Sequence, residues 1–478
     1  MKSLKFSILI LFFALGFISC QKEKSQPNIV VFLCDDLGYG DLPLYGHTSI
    51  ETPNLDKMAS NGILCTDFYS AAPVCSPARA GLLTGRSPNR AGIYDFIPSP
   101  KKSEDCRDLV HLQEHEETIP AMLKSVGYTT CLVGKWHCSS QFNSDKQPQA
   151  DYFGFDHWFA TRNNAAPSHE NPNNFVRNGK AVGEIEGFSC QIIVDEAIDW
   201  LDKKKSADPF YLQVNFHEPH VPIASPQPLV EKYLPFAKNE NEAQFFANVE
   251  NVDKAVGRLL SYLEENRHEN TLIIFTSDNG PETLLRYKRA KRSYGSPGPL
   301  KGMKLWTHEA GFRVPGIIHW MGRPTFKGAS DAVISSLDFL PTFAEIAGAD
   351  LPQNPIDGES FTSLFTDGKY ERSKPLLWAF YNALNEHIVA MRDGDWKIMA
   401  RLKNDSAYLP KIKNIYDGNE AFVKQAELTD FVLYNLKKDI GESEDVANKH
   451  PDIFQKMKKL LIEEYDNLLA GSHIWMRN

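Results

Sequence analysis

The sequence predicts an α/β protein: a large, mostly parallel sheet with helices on both faces, followed by a smaller C-terminal α+β domain with an antiparallel sheet and a helix. Three observations carry this. Near-continuous apolar, β-rich runs alternate with helical patterns, as in a sheet covered on both sides. Four of the runs end directly in charged or metal-type residues. Past Gly368 the texture changes, and short strand-like pieces lead into one last helix.

In chain order, Asn28–Cys34 ends in Asp35-Asp36, and Thr129–Val133 ends in Gly134-Lys135-Trp136-His137. Phe210–Phe216 ends in His217-Glu218-Pro219-His220, and Thr271–Ser277 ends in Asp278-Asn279-Gly280. A fifth run, Phe312–Trp320, is weakened by Pro315 and Gly316. Helical patterns cover 54–62, 118–127 with Thr118 as cap, 191–204 and 241–265. Residues 28–368 thus read as the catalytic domain and 369–478 as the appended one. In the latter, strand-like pieces at 376–380, 387–392, 396–401 and 431–435 precede a helix over 451–469, with a polar loop or insertion at 404–426.

The amino terminus stands apart. Residues 1–19 read as a signal peptide: Lys2 and Lys5 open it, and Phe6–Phe17 is too short to span a bilayer. Cys20 directly afterwards resembles the lipidated cysteine of a bacterial lipoprotein, with 20–27 as a tether. The expectation is an exported protein, periplasmic or attached to the outer membrane of a Gram-negative bacterium, touching membrane only through that anchor. A net charge of −9 without a Lys/Arg run excludes a nucleic-acid footprint. Among eight cysteines, Cys34 and Cys131 lie inside apolar runs and read as core. No spacing resembles a zinc site, and the pairing of the others cannot be read.

The stretch Ala72–Arg86 reads as a helix start, with Ser76 as cap, Pro77 as first helical residue and Gly85 as stop. Cys75 then sits at a helix mouth, where N–H groups favour negative charge, and Arg79 lies four residues on along the same face. Ligands of open α/β sheets gather beyond the carboxyl ends of the strands. There, Asp35, Asp36, Asp278 and Asn279 offer hard oxygen ligands suited to Ca²⁺ or Mg²⁺. Three carboxylates on one sheet edge repel unless a cation joins them. Lys135, His137, His220 and Lys304 add positive charge and transferable protons. His217, Arg286 and Trp306 are further candidate substrate contacts, with Trp158, Arg162 and Tyr294 beside them. The set suits an oxyanion ester, sulfate or phosphate.

Thr52-Pro-Asn-Leu-Asp56, Cys75-Ser-Pro-Ala-Arg79 and Leu83-Thr-Gly-Arg86 together resemble the signature of the type I, formylglycine-dependent sulfatases. The same pattern continues in Gly134-Lys135-Trp136-His137, Pro219-His220-Val-Pro222, Ser277-Asp278-Asn279-Gly280, Lys301-Gly-Met-Lys304 and Glu309-Ala-Gly-Phe-Arg-Val-Pro315. The resemblance is to the arylsulfatase and N-acetylgalactosamine-6-sulfatase kind, within the alkaline-phosphatase superfamily. It implies that a separate maturase oxidises Cys75 to formylglycine, whose hydrate attacks sulfur. It further implies one Ca²⁺ bound by Asp35, Asp36, Asp278 and Asn279 together with residue 75. Arg79 would hold the hydrate, Lys135, His220 and Lys304 would bind sulfate oxygens, His220 would be the general acid and His137 would assist sulfate release. The expected substrate is an O-sulfated galactose or N-acetylhexosamine unit of a sulfated polysaccharide or glycosaminoglycan. Met303 and Ala310 replace glycines usual in the family, which touches loop shape and no expected ligand. Two other readings remain open: a phosphate or phosphonate ester hydrolase on the same fold, and a catalytically silent lipoprotein that binds sulfated glycans.

Overall fold

The computed structural model describes residues 26–204, 208–284, 286, 291–405 and 407–477. The expected signal peptide, Cys20 and the tether as far as Ser25 lie outside the described residues.

The chain opens with β1 (Asn28–Asp35), α1 (Pro53–Ser60), β2 (Ile63–Cys65), β3 (Phe68–Tyr69) and α2 (Cys75–Thr84). Next come α3 (Ile119–Ser125), β4 (Thr129–Lys135), β5 (His157–Thr161), β6 (Phe175–Arg177), β7 (Lys180–Gly183) and α4 (Ser189–Lys203). They lead to β8 (Phe210–Pro219), α5 (Gln227–Tyr233), α6 (Glu240–Glu265), β9 (Thr271–Ser277), α7 (Glu309–Phe312) and β10 (Gly316–Met321). This part closes with β11 (Gly328–Ser330), β12 (Ile334–Ser335), α8 (Phe339–Ala347) and α9 (Leu364–Asp367).

Ten of these strands form one mixed sheet in the order β11-β2-β10-β9-β1-β8-β4-β5-β6-β7, and β3 pairs with β12 apart from it. Its centre, β9-β1-β8-β4-β5, is parallel. Alternation along β1 separates two cores. Ile29, Val31 and Leu33 join one apolar cluster with Leu82 and Leu83 of α2. Val30, Phe32 and Cys34 join another with residues of α4 and α6. Each fully buried side chain of this kind contributes about 1.5–3 kcal/mol, so the apolar runs become central strands.

The fifth apolar run departs from expectation. Its strand begins only at Gly316, Phe312 closes a helical turn, and β10 runs antiparallel to both β9 and β2. A parallel strand would need a crossover over one face of the sheet. The chain after Ser277 instead remains at the strand ends, so it enters β10 from the edge at which β9 stopped.

The C-terminal part contains β13 (Leu376–Ala379), β14 (Val389–Asp393), β15 (Trp396–Asn404), β16 (Ala407–Tyr408), α10 (Glu420–Lys424), β17 (Glu427–Asn435) and α11 (Pro451–Ala470). Its strands pair antiparallel throughout. The stretch 404–426, read as loop, carries the short β16 and α10. Val389, Ile398, Leu461 and Tyr465 share the apolar cluster of Leu82 and Leu83, so this sheet packs on the α2 side.

A buried charge cluster also joins the two parts. Lys397 Nζ meets Glu309 at 2.9 Å and Glu442 at 2.8 Å. Arg313 pairs with Asp67 at 2.9 Å and with Glu309 at 3.3 Å, while Arg392 reaches Asp67 at 2.6 Å. Tyr69 donates its hydroxyl to Glu309 at 2.6 Å. Three acidic side chains face two arginines and a lysine, all of them buried.

Candidate active site

Four parallel strands deliver side chains to one edge. Asp35 ends β1 and Lys135 ends β4, with their side chains in contact (Nζ to Oδ2 2.5 Å). Gly134 makes this approach possible. It sits at φ 103, and a Cβ there would lie 1.8 Å from the Asn215 carbonyl oxygen of β8. Asp36 and His137, just past their strands, hold left-handed conformations at φ 67 and 52. Such strain costs about 1–3 kcal/mol and gathers at functional positions.

Helix α2 begins at Cys75 itself, with Val74 as N-cap and no side-chain cap. The expectation of a Ser76 cap and a Pro77 start is therefore corrected. Ser76 Oγ is engaged elsewhere, accepting the Ile97 N–H at 3.0 Å. Gly85 ends the helix in the left-handed region, as its sequence position predicts. Cys75 is buried at the helix mouth, and burial raises its thiol pKa against the pull of Lys135 and Lys304. The seven described cysteines are all free thiols.

Arg79 is fully buried. Its Nε and Nη2 donate to Asp278 Oδ2 at 2.9 and 2.7 Å, and Nη1 donates to the Lys135 carbonyl at 3.1 Å. Asn215 Nδ2 donates to that same carbonyl at 2.8 Å. Sequence reading missed Asn215, although a polar residue inside the run 210–216 was a signal. Lys304 arrives from the loop before β10 and reaches Asp36 at 2.6 and 2.8 Å. Asn279 Nδ2 donates to Asp36 Oδ1 at 2.7 Å.

Asp35, Asp36 and His220 each place a ligand atom within 4.8 Å of the others. Asp35 Oδ1 and Asn279 Oδ1 are buried without a hydrogen-bond partner. Burial acts to raise the pKa of both Asp35 and Asp278. At Asp35 the charges of Lys135, His220 and Arg79 outweigh it and hold the group well below the usual range. Asp278, pushed by burial and by Asp35, stands at about 7 despite Arg79. The oxygen-rich donors and the two orphaned oxygens fit Ca²⁺ or Mg²⁺.

His137 Nε2 lies 3.0 Å from the Ile97 carbonyl, which can only accept, so the proton sits on Nε2. Its Nδ1 has no partner, and burial with Lys135 nearby keeps the ring neutral. His220 Nδ1 faces the Val221 carbonyl at 2.6 Å, leaving Nε2 3.7 Å from Asp36. Burial lowers this ring to about 4, against Asp36 and Asp35.

The remaining candidates separate. His217 is fully buried, bonded through Nε2 to Thr161 Oγ1 at 2.8 Å, and lies behind the rim. Trp158 is buried. Arg286 is ion-paired to Glu282. Trp306 is half-buried with its indole N–H unpartnered, two residues past Lys304. Tyr294 accepts from Asn239 at 2.7 Å.

A helix mouth carrying a reactive residue, acids able to share a cation and converging Lys and Arg groups define the class: a hydrolase of tetrahedral oxyanion esters built on a mixed sheet with helices. The comparisons give the family. A model described as Sulfatase matches residues 27–349, and one described as N-sulphoglucosamine sulphohydrolase, C-terminal, matches 303–467. N-acetylgalactosamine-6-sulfatase of Canis lupus familiaris is 34% identical over 371 residues, covering 73% of this chain and 68% of the relative. Arylsulfatase A of Homo sapiens is 31% identical over 483 residues, covering 91% and 87%. The crystal structure of Ps i-CgsB in complex with k-i-k-neocarrahexaose aligns over 95% of both chains, with TM-score 0.74 and 26% identity. This chain belongs to the sulfatase family and is a sulfuric ester hydrolase.

Proposed function

We propose that the enzyme removes O-sulfate from galactose or N-acetylhexosamine units of sulfated polysaccharides or glycosaminoglycans, with Cys75 matured to formylglycine and one Ca²⁺ bound. The observation that carries this is the meeting of Cys75, Arg79, Lys135 and Lys304 around Asp35, Asp36 and Asp278. Asp35, Asp36, Asp278 and Asn279 would hold the ion beside residue 75. Bound there, the ion would polarise sulfate oxygens and the hydrated aldehyde would supply the attacking hydroxyl.

The other roles belong to encoded side chains. Arg79 holds Asp278 in place and presents positive charge to residue 75. Lys135 and Lys304 bind sulfate oxygens and offset charge as the S–O bond breaks. His137, with a bare Nδ1, takes a proton. His220 Nε2 returns one to the leaving sugar oxygen; the anionic ester beside it favours the protonated ring. His217 supports this layer from behind through Thr161.

A maturase acting on Cys75, export, and a lipid on Cys20 complete the proposal. The test is turnover of 4-nitrophenyl sulfate against its phosphate analogue, followed by a panel of defined sulfated saccharides. Predominant phosphatase activity rejects the proposal. Mass spectrometry of the Cys75 peptide after expression with a maturase should show loss of the thiol; an intact thiol without turnover would favour the glycan binder.

A further inference from the structure

The turn that follows β5 holds a cation the chemistry above does not use. The Arg162 carbonyl accepts the His137 N–H at 2.9 Å, and Thr161 pairs with Lys135 in the sheet, so this turn borders the candidate site. The guanidinium is half-buried and tethered at two points, by the Pro98 carbonyl and by Ser99 Oγ, both at 3.0 Å. Of its five N–H donors, these contacts take two. Burial lowers its pKa with no acid acting in the other direction.

Other buried arginines behave differently. Arg79, Arg86, Arg313, Arg372 and Arg392 each contact a carboxylate. Arg162 pairs with no carboxylate among the described residues. Beside it, Asn163 Oδ1 and Asn164 Oδ1 are likewise buried without hydrogen-bond partners. The strap that tethers the guanidinium is itself fixed, since Ile97 bonds Ser76 through its N–H and His137 through its carbonyl. Lys101 and Lys102 lie exposed just beyond. A half-buried guanidinium held rigid with spare donors is built to receive an anion.

We propose that Arg162 forms a second anion subsite that reads a carboxylate or a second sulfate on the saccharide whose sulfate ester is cleaved, with the open Asn163 and Asn164 side-chain oxygens accepting from that sugar's hydroxyls. This rests on the sulfatase reading and gives it a substrate class: glycans carrying two neighbouring anionic groups. Arg162 is then a specificity-determining residue. It acts on binding and leaves the S–O cleavage step to the groups described above.

The test compares four substrates on the matured, metal-loaded enzyme: 4-nitrophenyl sulfate, N-acetylgalactosamine 6-sulfate, its 4,6-disulfate, and a uronate-containing disaccharide 6-sulfate. Wild-type enzyme should prefer one of the two dianionic saccharides at least about tenfold in kcat/KM over the monosulfated sugar, an effect of one charge-assisted contact. Arg162→Ala should abolish that preference by raising KM with kcat retained, and Arg162→Lys should restore part of it. The arm that responds identifies the source, second sulfate or carboxylate. Equal losses on all four substrates, or no wild-type preference in either arm, would overturn the subsite. Where Arg162→Ala folds poorly, Arg162→Gln takes its place, and an unchanged preference in that variant overturns the subsite. Absence of wild-type turnover on all four substrates would instead strike the sulfatase reading itself.

Discussion

Two buried charge clusters in this chain have nearly the same composition and opposite character. At the strand ends, Asp35, Asp36 and Asp278 face Lys135, Lys304 and Arg79. Between the two parts of the chain, Asp67, Glu309 and Glu442 face Arg313, Arg392 and Lys397. The second cluster is paired internally: Lys397 bridges two acids, Tyr69 fills a further position, Glu442 Oε1 is held by its ion pair with Lys397 alone, and the cations hold Glu309 at about 2 against its burial. The first is unfinished, with two orphaned oxygens, a carboxyl at about 7 and two backbone positions in the left-handed region. Equal charge counts therefore do not determine behaviour. What differs is that Glu442 Oε1 still meets Lys397 Nζ at 2.8 Å, whereas Asp35 Oδ1 and Asn279 Oδ1 are left without a hydrogen-bond partner.

Substitutions in the two clusters should accordingly fail in different ways. The largest effect is expected at the open one. Cys75→Ala should lower turnover by about 10⁴-fold or more while the thermal midpoint stays near wild type. Chelation of divalent ions should likewise abolish turnover, with Ca²⁺ restoring it; activity surviving exhaustive chelation would refute the ion's role. Next comes the closed cluster. Lys397→Met strands two buried acids and should cost about 3–5 kcal/mol in urea unfolding. Unchanged stability there would break the distinction.

Lys304→Ala should fall between, reducing kcat by about 10²–10³-fold, as for loss of one charge-stabilising donor. Its stability change should be smaller than that of Lys397→Met. The smallest effect concerns acid. Burial would raise Glu309, but Lys397, Arg313 and Arg392 win, so its folded pKa lies below the unfolded value near 4.5. Its contribution is present above that value and is lost as pH falls from about 4.5 towards 2. Unfolding titrations of wild type and Glu309→Gln should therefore converge over this window; a constant gap would contradict the assignment.

Much of the open cluster was legible locally. Asp35, Lys135 and Asp278 announce themselves because each closes or follows an apolar strand, and parallel strands bring their ends together. Cys75 and Arg79 were legible from one helix turn. The closed cluster was not: Glu309 and Lys397 are 88 residues apart and meet only when the antiparallel sheet docks. The hand of β10 was hidden for a related reason, since an apolar run states that a strand is buried and leaves its direction open. Ser76 was misread because a cap motif cannot reveal that the Ile97 N–H competes for the same hydroxyl.

The reversed strand has one more consequence. Thr276 and Gly316 sit side by side in the β9–β10 ladder, so the intervening chain leaves and re-enters the scaffold at adjacent points. Asp278, Asn279 and Lys304 all travel on that single excursion. Its two roots stay pinned by sheet pairing whatever lies between them. Changes of length between Asn279 and Lys304 therefore leave the paired strand ends, and the sheet beneath, in place.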